Sequence, residues 1–382
     1  MKIVIAPDSY KESLSAMEVA NTIEKGFKQV FPDAEYIKIP VADGGEGTVD
    51  TMIDATKGEK IELIVTGALG QPLNAFFGIS NDRSTAFIEV ASASGLAQVP
   101  VEKRNPLITT SYGVGELILS ALDLGARSFI IGLGGSATND GGAGMLQALG
   151  VKLLDADNQN IGYGGAELVR LSKIDISSLD SRLPECRFNI ACDVTNPLIG
   201  ETGASAIFGP QKGASPQMVK QLDAALAHFA SIIKQDLNID VKDLPGAGAA
   251  GGLGAAFAAV LNGELKSGIG IITDLLNLED KIKDADLVIT GEGRIDHQSI
   301  NGKVPVGVAN IAKQYDVPVI GIAGSLGQDI QVVYDYGLDA VFSILNKICT
   351  LSEAFGDAEI NLEATARNIA AVLRMNILNK KD

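Results

Sequence analysis

The sequence contains few of the residues that build disulfides and zinc sites. Its three cysteines are scattered and odd in number, no C-x-x-C pair is present, and its two histidines stand far apart. Such a set argues against a disulfide framework and against a structural zinc ion. We interpret Cys186, Cys192 and Cys349 as buried structural residues. A nucleophilic pair of a cysteine with His228 or His297 is left open.

Long apolar runs and an excess of positive charge are also missing. No stretch approaches the roughly eighteen consecutive apolar residues that a membrane span requires. The amino-terminal sequence "MKIVIAPDS" reaches an acidic residue too early for a signal peptide, so we expect a cytoplasmic protein. Lys and Arg number 31 against 47 Asp and Glu, which gives a formal net charge of −16. This charge argues against nucleic acid and anionic membranes as partners.

Both ends of the chain show an alternation of strand and helix that the middle lacks. Near the amino terminus, "KIVIA" and "YIKIPV" flank a helical pattern that starts with Ser15 and Glu18 as a capping box. After residue 285, the apolar runs "ADLVITG", "VPVIGIAG" and "LDAVFSI" alternate with helical patterns. Between the two ends, "IELIV", "NAFFGI" and "TAFIEV" predict an antiparallel meander.

This arrangement predicts an α/β protein with two domains. We expect residues 1–58 and 285–382 to form one doubly wound domain around a parallel sheet, built from both chain ends. We expect residues 59–284 to form an inserted second α/β domain with a mixed or antiparallel sheet. In such a fold the strand at Lys2–Ala6 pairs with strands of its own domain.

Glycine and polar residues follow the predicted strands of the terminal domain. Because ligands bind at the carboxyl ends of parallel strands, these loops predict a polar pocket at one edge of the sheet. Carboxylates in turns near strand ends could hold Mg²⁺ and orient an attacking hydroxyl, although Asx turns explain such residues as well. The carboxylates of this kind are Asp8, Asp43, Glu46, Asp140, Asp193, Glu292 and Asp296.

Two lysines lie just before, or in the first turn of, a predicted helix. The helix dipole disfavours a cation at the positions of Lys11 and Lys303. We interpret both as directed at an anion that the helix N-terminus holds, while a solvated lysine is the alternative. On the dipole alone, Lys303→Ala should leave the fold intact or slightly more stable.

The stretch "IGLGGSATNDGGAGMLQALG", residues 131–150, holds seven glycines. Gly132 to Ala137 matches G-x-G-x-x-A, and Asp155 follows at the spacing of a dinucleotide fingerprint, which leaves an NAD(P)-dependent hydroxy-acid dehydrogenase as an alternative. Three glycines in the following helical segment would each cost about 1 kcal/mol in a helix interior, which argues against that alternative. The motif also lies in mid-chain, and a second match at Gly246–Gly251 follows no strand.

The sequence contains no G-x-x-x-x-G-K-[ST] motif, so a kinase with this sequence is not of the P-loop type. A non-catalytic sugar-acid-binding protein is a third alternative. It is less favoured, since no secretion signal is present and the carboxylates are numerous.

Six stretches in fixed order resemble the type I glycerate kinase family. They span Pro7 to Pro305, and the chain length is similar as well. Tyr10 and Glu12 stand where that family often has Phe and Gly. The stretches are "PDSYKESLSA", "PVADGGEGT", "IGLGGSATNDGGAGMLQALG", "ACDVTNPLIGETGASAIFGPQKGA", "GAGAAGGLGAAF" and "VITGEGRIDHQSINGKVP".

The resemblance implies phosphorylation of D-glycerate with ATP and Mg²⁺. It implies a flavodoxin-like domain from both chain ends, an inserted α/β domain and a reaction in the cleft between them. The partners would be glycerate and a nucleotide, with no nucleic acid and no membrane; a homodimer is left open. The product 2-phosphoglycerate is favoured over 3-phosphoglycerate.

Within that family interpretation we assign residue roles as physical hypotheses. Backbone N–H groups of the glycine-rich stretch would hold ATP phosphates, and Arg294 could bind the glycerate carboxylate in a bidentate manner. Lys303 would face the transferring phosphoryl group, and Asp193 would orient the hydroxyl or bind metal. The hypothesised sets are Asp193, Lys303 and Lys11 for catalysis; Asp8, Ser9, Lys11 and Arg294 for glycerate; Gly134, Gly135, Ser136, Asn139 and Asp140 for the nucleotide; and Asp43, Glu46, Glu292 and Asp296 for the metal.

Overall fold

The computed structural model describes residues 1–45 and 47–378 of the chain. The strands are β1 (Lys2–Ile5), β2 (Glu35–Lys38), β3 (Glu59–Thr66), β4 (Pro72–Ile79), β5 (Thr85–Glu89), β6 (Ser128–Gly132), β7 (Lys152–Leu154), β8 (Lys173–Asp175), β9 (Arg187–Ala191), β10 (Glu264–Lys266), β11 (Leu287–Ile295), β12 (Val319–Leu326) and β13 (Ala340–Ser343).

The helices are α1 (Ala16–Lys28), α2 (Thr48–Thr56), α3 (Val90–Ser94), α4 (Tyr112–Asp123), α5 (Ala143–Ala148), α6 (Ala204–Phe208), α7 (Pro216–Leu237), α8 (Ala249–Val260), α9 (Gly268–Leu275), α10 (Leu278–Ile282), α11 (Val304–Lys313), α12 (Leu351–Gly356) and α13 (Ala358–Leu378). None of the helices in the described part of the chain has the length and apolar character needed to cross a membrane.

The chain divides into two compact units. The first unit consists of Met1–Asp43 together with the chain from Ile269 onward, and the second unit is Gly44–Gly268. The sequence-based boundaries lay at 58/59 and 284/285 instead. Helix α2 therefore belongs to the second unit, whereas α9 and α10 lie almost wholly in the first.

The first unit is built on a five-stranded parallel sheet of order β13-β12-β11-β1-β2. Counted within the unit, this is the 2-1-3-4-5 order of doubly wound flavodoxin-like folds. The register sets Ile3 beside Leu287 on one side and beside Tyr36 on the other. The prediction of one parallel sheet built from both chain ends is thus confirmed.

Helices cover the faces of this sheet, which explains why β1 and β11 read as continuous apolar runs. Helix α1 begins with the predicted capping box: the Glu18 N–H donates to Ser15 Oγ at 3.3 Å, and the Ser15 N–H donates to Glu18 Oε2 at 2.8 Å. Helices α1 and α13 approach closely at Gly26, where a Cβ atom would lie 2.6 Å from the Glu363 carbonyl oxygen. The core of this unit includes Ile3, Ile5, Phe27, Ile289, Ile322 and Leu362.

The second unit holds a six-stranded mixed sheet of order β10-β9-β6-β5-β4-β3. Strands β3, β4 and β5 form the predicted antiparallel meander, and β5, β6, β9 and β10 run parallel. In its core, the rings of Phe129 and Phe188 stack with centroids 4.7 Å apart. Strands β7 and β8 form a separate antiparallel pair.

Candidate active site

Three carboxylates of the first unit come together at the carboxyl edge of its parallel sheet. We call Asp8, Asp43 and Glu292 the carboxylate cluster. Asp8 follows β1, and its N–H donates to the Gly291 carbonyl at 2.8 Å, so the chain still runs beside β11 there. Asp43 follows β2 in the chain, whereas Glu292 lies inside β11. The segment "GEGRI" is therefore part of strand β11.

Mutual repulsion and burial perturb the acid at the centre of this cluster. Burial and then the charge of Asp43 raise the pKa of Asp8 from its ordinary value of 3.8 to about 7, and the charge of Glu292 adds to the increase. Hydrogen bonds from the Ser9 N–H (2.6 Å) and hydroxyl (3.2 Å) to Asp8 Oδ1 oppose it. The Asp8 carboxyl therefore takes up and releases a proton near neutral pH.

Glu292 is held by a hydroxyl and a cation. It is 6% exposed, and it accepts a hydrogen bond from Ser299 Oγ at 2.5 Å and lies 3.3 Å from Lys303 Nζ. The pKa of Glu292 is raised overall, first by burial and also by the charge of Asp43. The hydrogen bond from Ser299 and the charge of Lys303 oppose this rise. Lys303 is the N-cap residue of α11, so a buried carboxylate offsets the unfavourable dipole at that position.

The remaining site residues of the first unit lie around this cluster with separate partners. Asp296 accepts the Gln298 N–H at 2.9 Å to cap a short 3₁₀ helix and pairs with Arg294 Nε at 3.1 Å. The Arg294 side chain is 64% exposed. Lys11 is also exposed, and it lies in a turn before Ser15, not at the start of α1.

The donor chemistry of the cluster fits a hard divalent cation. Mg²⁺ is usually held by one or two carboxylates together with substrate phosphates and waters. Asp43 and Glu292 are close enough for the charge of one to raise the pKa of the other, and a cation would relieve that repulsion. Asp296 is engaged by its helix cap and Arg294. Glu46, also predicted as a ligand, lies outside the described residues.

Among the described residues, no group of three or more His, Cys, Asp or Glu side chains is arranged to hold a metal ion. Two carboxylates alone are consistent with a cation that binds together with a phosphate.

The three cysteines are free and half-buried, not fully buried as the sequence suggested. His228 contacts the Leu171 carbonyl through Nε2 at 2.6 Å.

A glycine-rich loop, Leu133–Gly142, joins β6 to α5 in the second unit. Gly135, Gly141 and Gly142 have φ angles of 70°, 63° and 79°, a region that side chains other than glycine rarely adopt. Helix α5 starts only at Ala143, so two of the three glycines that weakened the helix prediction precede the helix. Glycine therefore shapes the turn rather than weakening α5.

The first glycines of this loop line a cavity of about 860 Å³ within the second unit. Gly134 and Gly135 are exposed there, and a Cβ atom at Gly134 would meet nothing within 4 Å. Phe76, Glu89 and Arg104 contribute to the same wall. A cavity of this size can take a nucleotide-sized ligand.

The other predicted nucleotide contacts lie inside the loop. Asp140 is fully buried and accepts hydrogen bonds from the N–H and hydroxyl of Ser111 (2.8 Å each) and from the N–H groups of Gly142 and Gly144. Burial raises its pKa and these bonds oppose the rise. Asn139 is also fully buried and donates to Ser205 Oγ at 2.9 Å. Both residues hold the loop in shape rather than facing the cavity.

A buried lysine that was not among the predicted site residues lies behind this loop. Lys212 is 2% exposed, and its Nζ donates to Ser136 Oγ at 2.9 Å and to the Thr138 carbonyl at 2.6 Å. Burial lowers the pKa of Lys212 to about 7, and the charge of Asp140 opposes that change. No local sequence pattern distinguishes this lysine from a solvated one. Ser136, predicted to contact the nucleotide, is itself 5% exposed.

The first-choice catalytic acid, Asp193, lies in the second unit two residues after β9. It is exposed, and its Oδ1 accepts the Gly268 N–H at 3.0 Å.

Asp155, the acid of the dinucleotide fingerprint, accepts the N–H groups of Asp157 and Gln159 and pairs with Arg170 at 2.8 Å. Strand β7 pairs with β8 and not with the main sheet, so the fingerprint does not form a βαβ unit.

Comparison with known proteins agrees with this architecture. The model of the Glycerate kinase family matches residues 3–374. The chain belongs to the glycerate kinase family. It is 64% identical to "Glycerate 2-kinase" of Escherichia coli K12, covering 99% of this chain and all of that protein. It is 57% identical to "Glycerate kinase" of Bacillus subtilis 168, covering 98% of each chain.

A solved structure is similar over nearly the whole length of this family member. It is a crystal structure from Salmonella typhimurium LT2, provisionally named glycerate kinase 2. The two chains are 60% identical with a TM-score of 0.93, and 99% of each is covered. The resemblance noted from six sequence stretches is thus confirmed over nearly the whole chain.

Proposed function

We propose that this glycerate kinase family member transfers the γ-phosphoryl group of ATP to D-glycerate and forms 2-phosphoglycerate. The observation that carries the proposal is the 64% identity, over essentially the full length of both chains, to a protein named glycerate 2-kinase. The carboxylate cluster and the glycine-rich loop supply the two kinds of site that such a reaction needs.

The glycine-rich loop and its cavity are the proposed nucleotide site. Backbone N–H groups at Gly134 and Gly135 can hold phosphate oxygens without a side chain in the way. This assignment is supported by the exposure of both glycines and by the cavity of about 860 Å³ that they line. Ser136, Asn139 and Asp140 support the loop from inside.

The edge of the parallel sheet is the proposed glycerate site. Lys11 and Arg294 are exposed cations near this edge and can bind the glycerate carboxylate, with Ser9 beside them. Asp8 is the proposed general base, since a carboxyl with a pKa of about 7 is well matched to proton transfer at neutral pH. The glycerate hydroxyl proton would move to an Asp8 carboxylate oxygen as the hydroxyl oxygen attacks phosphorus. Asp193 stays a second candidate.

Lys303 and the metal complete the proposed electrostatics. Bound Mg²⁺ would neutralise phosphate charge, with Asp43 and Glu292 as its protein ligands. Lys303 fixes Glu292 and can stabilise charge on the transferring phosphoryl group. A reaction in the cleft between domains, a cytoplasmic location and a homodimer stay predictions.

The experiment is a paired assay with ATP and D-glycerate. We expect ADP to form only when glycerate and Mg²⁺ are both present, and we expect no glycerate-dependent change in NADH absorbance. ADP release that is independent of glycerate would contradict the proposal. A change in NADH absorbance with glycerate would favour the dehydrogenase alternative, which Asp155 and the pairing of β7 argue against.

A further inference from the structure

Lys212 occupies a fixed position under the glycine-rich loop. It ends a 3₁₀ turn, Pro210–Lys212, that follows α6. The next residue, Gly213, has a φ of 93°, and a Cβ atom there would overlap the Arg104 carbonyl. The Lys212 side chain lies in the interior, where only 2% of it is exposed.

The loop is held between two sets of backbone and side-chain contacts. On one side, the Leu96 N–H donates to the Gly135 carbonyl and the Ala137 N–H donates to the Ser94 carbonyl, each at 2.8 Å. On the other side, Lys212 Nζ reaches the loop at Ser136 and Thr138. The loop turn that exposes Gly134 and Gly135 thus lies directly before the segment that the lysine binds.

A negatively charged group near the buried ammonium of Lys212 would stabilise it. A lysine ammonium has donors only, and burying it is unfavourable unless negative charge compensates. The carboxylate that acts on it, Asp140, already accepts hydrogen bonds from Ser111, Gly142 and Gly144. Neutral acceptors, a hydroxyl and a carbonyl, contact the nitrogen itself. An anion bound at the exposed glycines would supply the missing charge, at a place where solvent screens little.

We propose that Lys212 is a positioning residue for the nucleotide phosphates: it fixes the loop through Ser136 and Thr138 and adds a buried positive charge beneath the phosphates. This inference rests on the proposed nucleotide site. The role differs from that of a surface lysine because the cation never touches the phosphate. It favours anionic ligands at Gly134 and Gly135 over neutral ones of the same shape.

The test compares ADP with adenosine, two ligands that differ only in their phosphates, by titration calorimetry without metal. The variant Lys212→Met keeps the length of the side chain and removes the charge. We expect its affinity for ADP to fall about tenfold or more, as for loss of a charge in a poorly screened site. Its affinity for adenosine should stay within about twofold, since the base and ribose do not depend on that charge. Lys220→Met, an exposed lysine of α7 in the same unit, is the matched control and should change neither.

Kinetics give a second reading of the same variant. The KM for ATP should rise while kcat at saturating ATP changes less, since the charge acts on bound phosphates before the reaction. Equal losses for ADP and adenosine would assign Lys212 a purely structural role and overturn the proposal. If the wild-type protein itself bound ADP no better than adenosine, the proposed phosphate site would fail instead.

If Lys212→Met does not fold, the pH dependence of ligand affinity in the wild-type protein tests the same proposal. The phosphates of ADP are already ionised at about pH 7.5, whereas Lys212, whose pKa is about 7, loses its remaining charge above that pH. The facing acid, Asp140, sits in a fixed hydrogen-bonded position. The ratio of ADP to adenosine affinity should fall between about pH 7.5 and 9. A constant ratio would overturn the proposal.

Discussion

Replacing Asp8 with asparagine should stabilise the folded protein at neutral and alkaline pH. The substitution keeps the shape of the side chain and removes a charge that burial disfavours and that Asp43 and Glu292 repel. Raising the pKa of Asp8 from 3.8 to about 7 corresponds to an upper limit of about 4 kcal/mol, since each pKa unit is worth about 1.4 kcal/mol. Asp8 is partly exposed and the Ser9 N–H bond weakens with a neutral acceptor, so we expect a gain of about 1–3 kcal/mol.

The pH dependence identifies the cause of this gain. At about pH 4 the folded protein keeps Asp8 protonated, and the unfolded chain does so in part, so the substitution changes little. As the pH rises from about 4 to about 7, the unfolded chain loses this proton and the folded protein resists, which lowers wild-type stability relative to the variant. Above about pH 7 the difference is constant.

Calorimetric melting at pH 5 and pH 8 measures the effect. A gain of this size should raise the melting temperature of the first unit by about 2–10 °C at pH 8, with a smaller rise at pH 5. Asp33→Asn, at an exposed position of the same unit, is the control. A pH-independent shift, or a loss of stability at pH 8, would refute the claim that burial and the neighbouring carboxylates raise the pKa of Asp8. Turnover of Asp8→Asn should fall at least about a hundredfold if Asp8 is the general base.

Three further substitutions or treatments test other parts of the structure. Gly26→Ala should destabilise by about 1–3 kcal/mol, because its Cβ would lie 2.6 Å from the Glu363 carbonyl oxygen and 2.8 Å from Ala366 Cβ; in urea denaturation Gly356→Ala, where a Cβ meets nothing within 4 Å, should be neutral. Lys303→Ala should lower turnover about a hundredfold. The same variant should also lose about 1 kcal/mol of stability at pH 8, as removing the lysine leaves Glu292 buried without its cation; unchanged melting would support the dipole-only expectation. Chelation of divalent cations should abolish turnover and leave adenosine binding intact, and full activity in excess chelator would contradict the assigned metal role.

Local sequence patterns correctly predicted the parallel sheet and the start of α1. The alternating runs at both chain ends predicted the parallel sheet, because strands covered by helices on both faces are apolar throughout. The capping box at Ser15 and Glu18 predicted the start of α1, since those side chains satisfy local N–H groups. Local chemistry was sufficient in both places.

Tertiary contacts decided the places where the prediction was wrong. Strand β11 extends beyond the apolar run "ADLVITG" because it pairs with β12. A Cβ at residue 291 would overlap the Ile322 carbonyl, so glycine permits this pairing. The burial of Lys212, Asn139 and Asp140 depends on neighbours distant in sequence. No local pattern distinguishes such a lysine from a solvated one.

The most direct test of the proposed reaction is a proton-coupled phosphorus NMR spectrum of the product formed from ATP and D-glycerate. We expect ADP and one phosphate monoester whose phosphorus couples to a single proton, because in 2-phosphoglycerate the ester oxygen joins a CH carbon. A phosphorus coupled to the two protons of a CH₂ group would identify 3-phosphoglycerate and contradict the proposed product. Absence of any phosphate monoester, with ATP and glycerate unchanged, would contradict the proposed reaction itself.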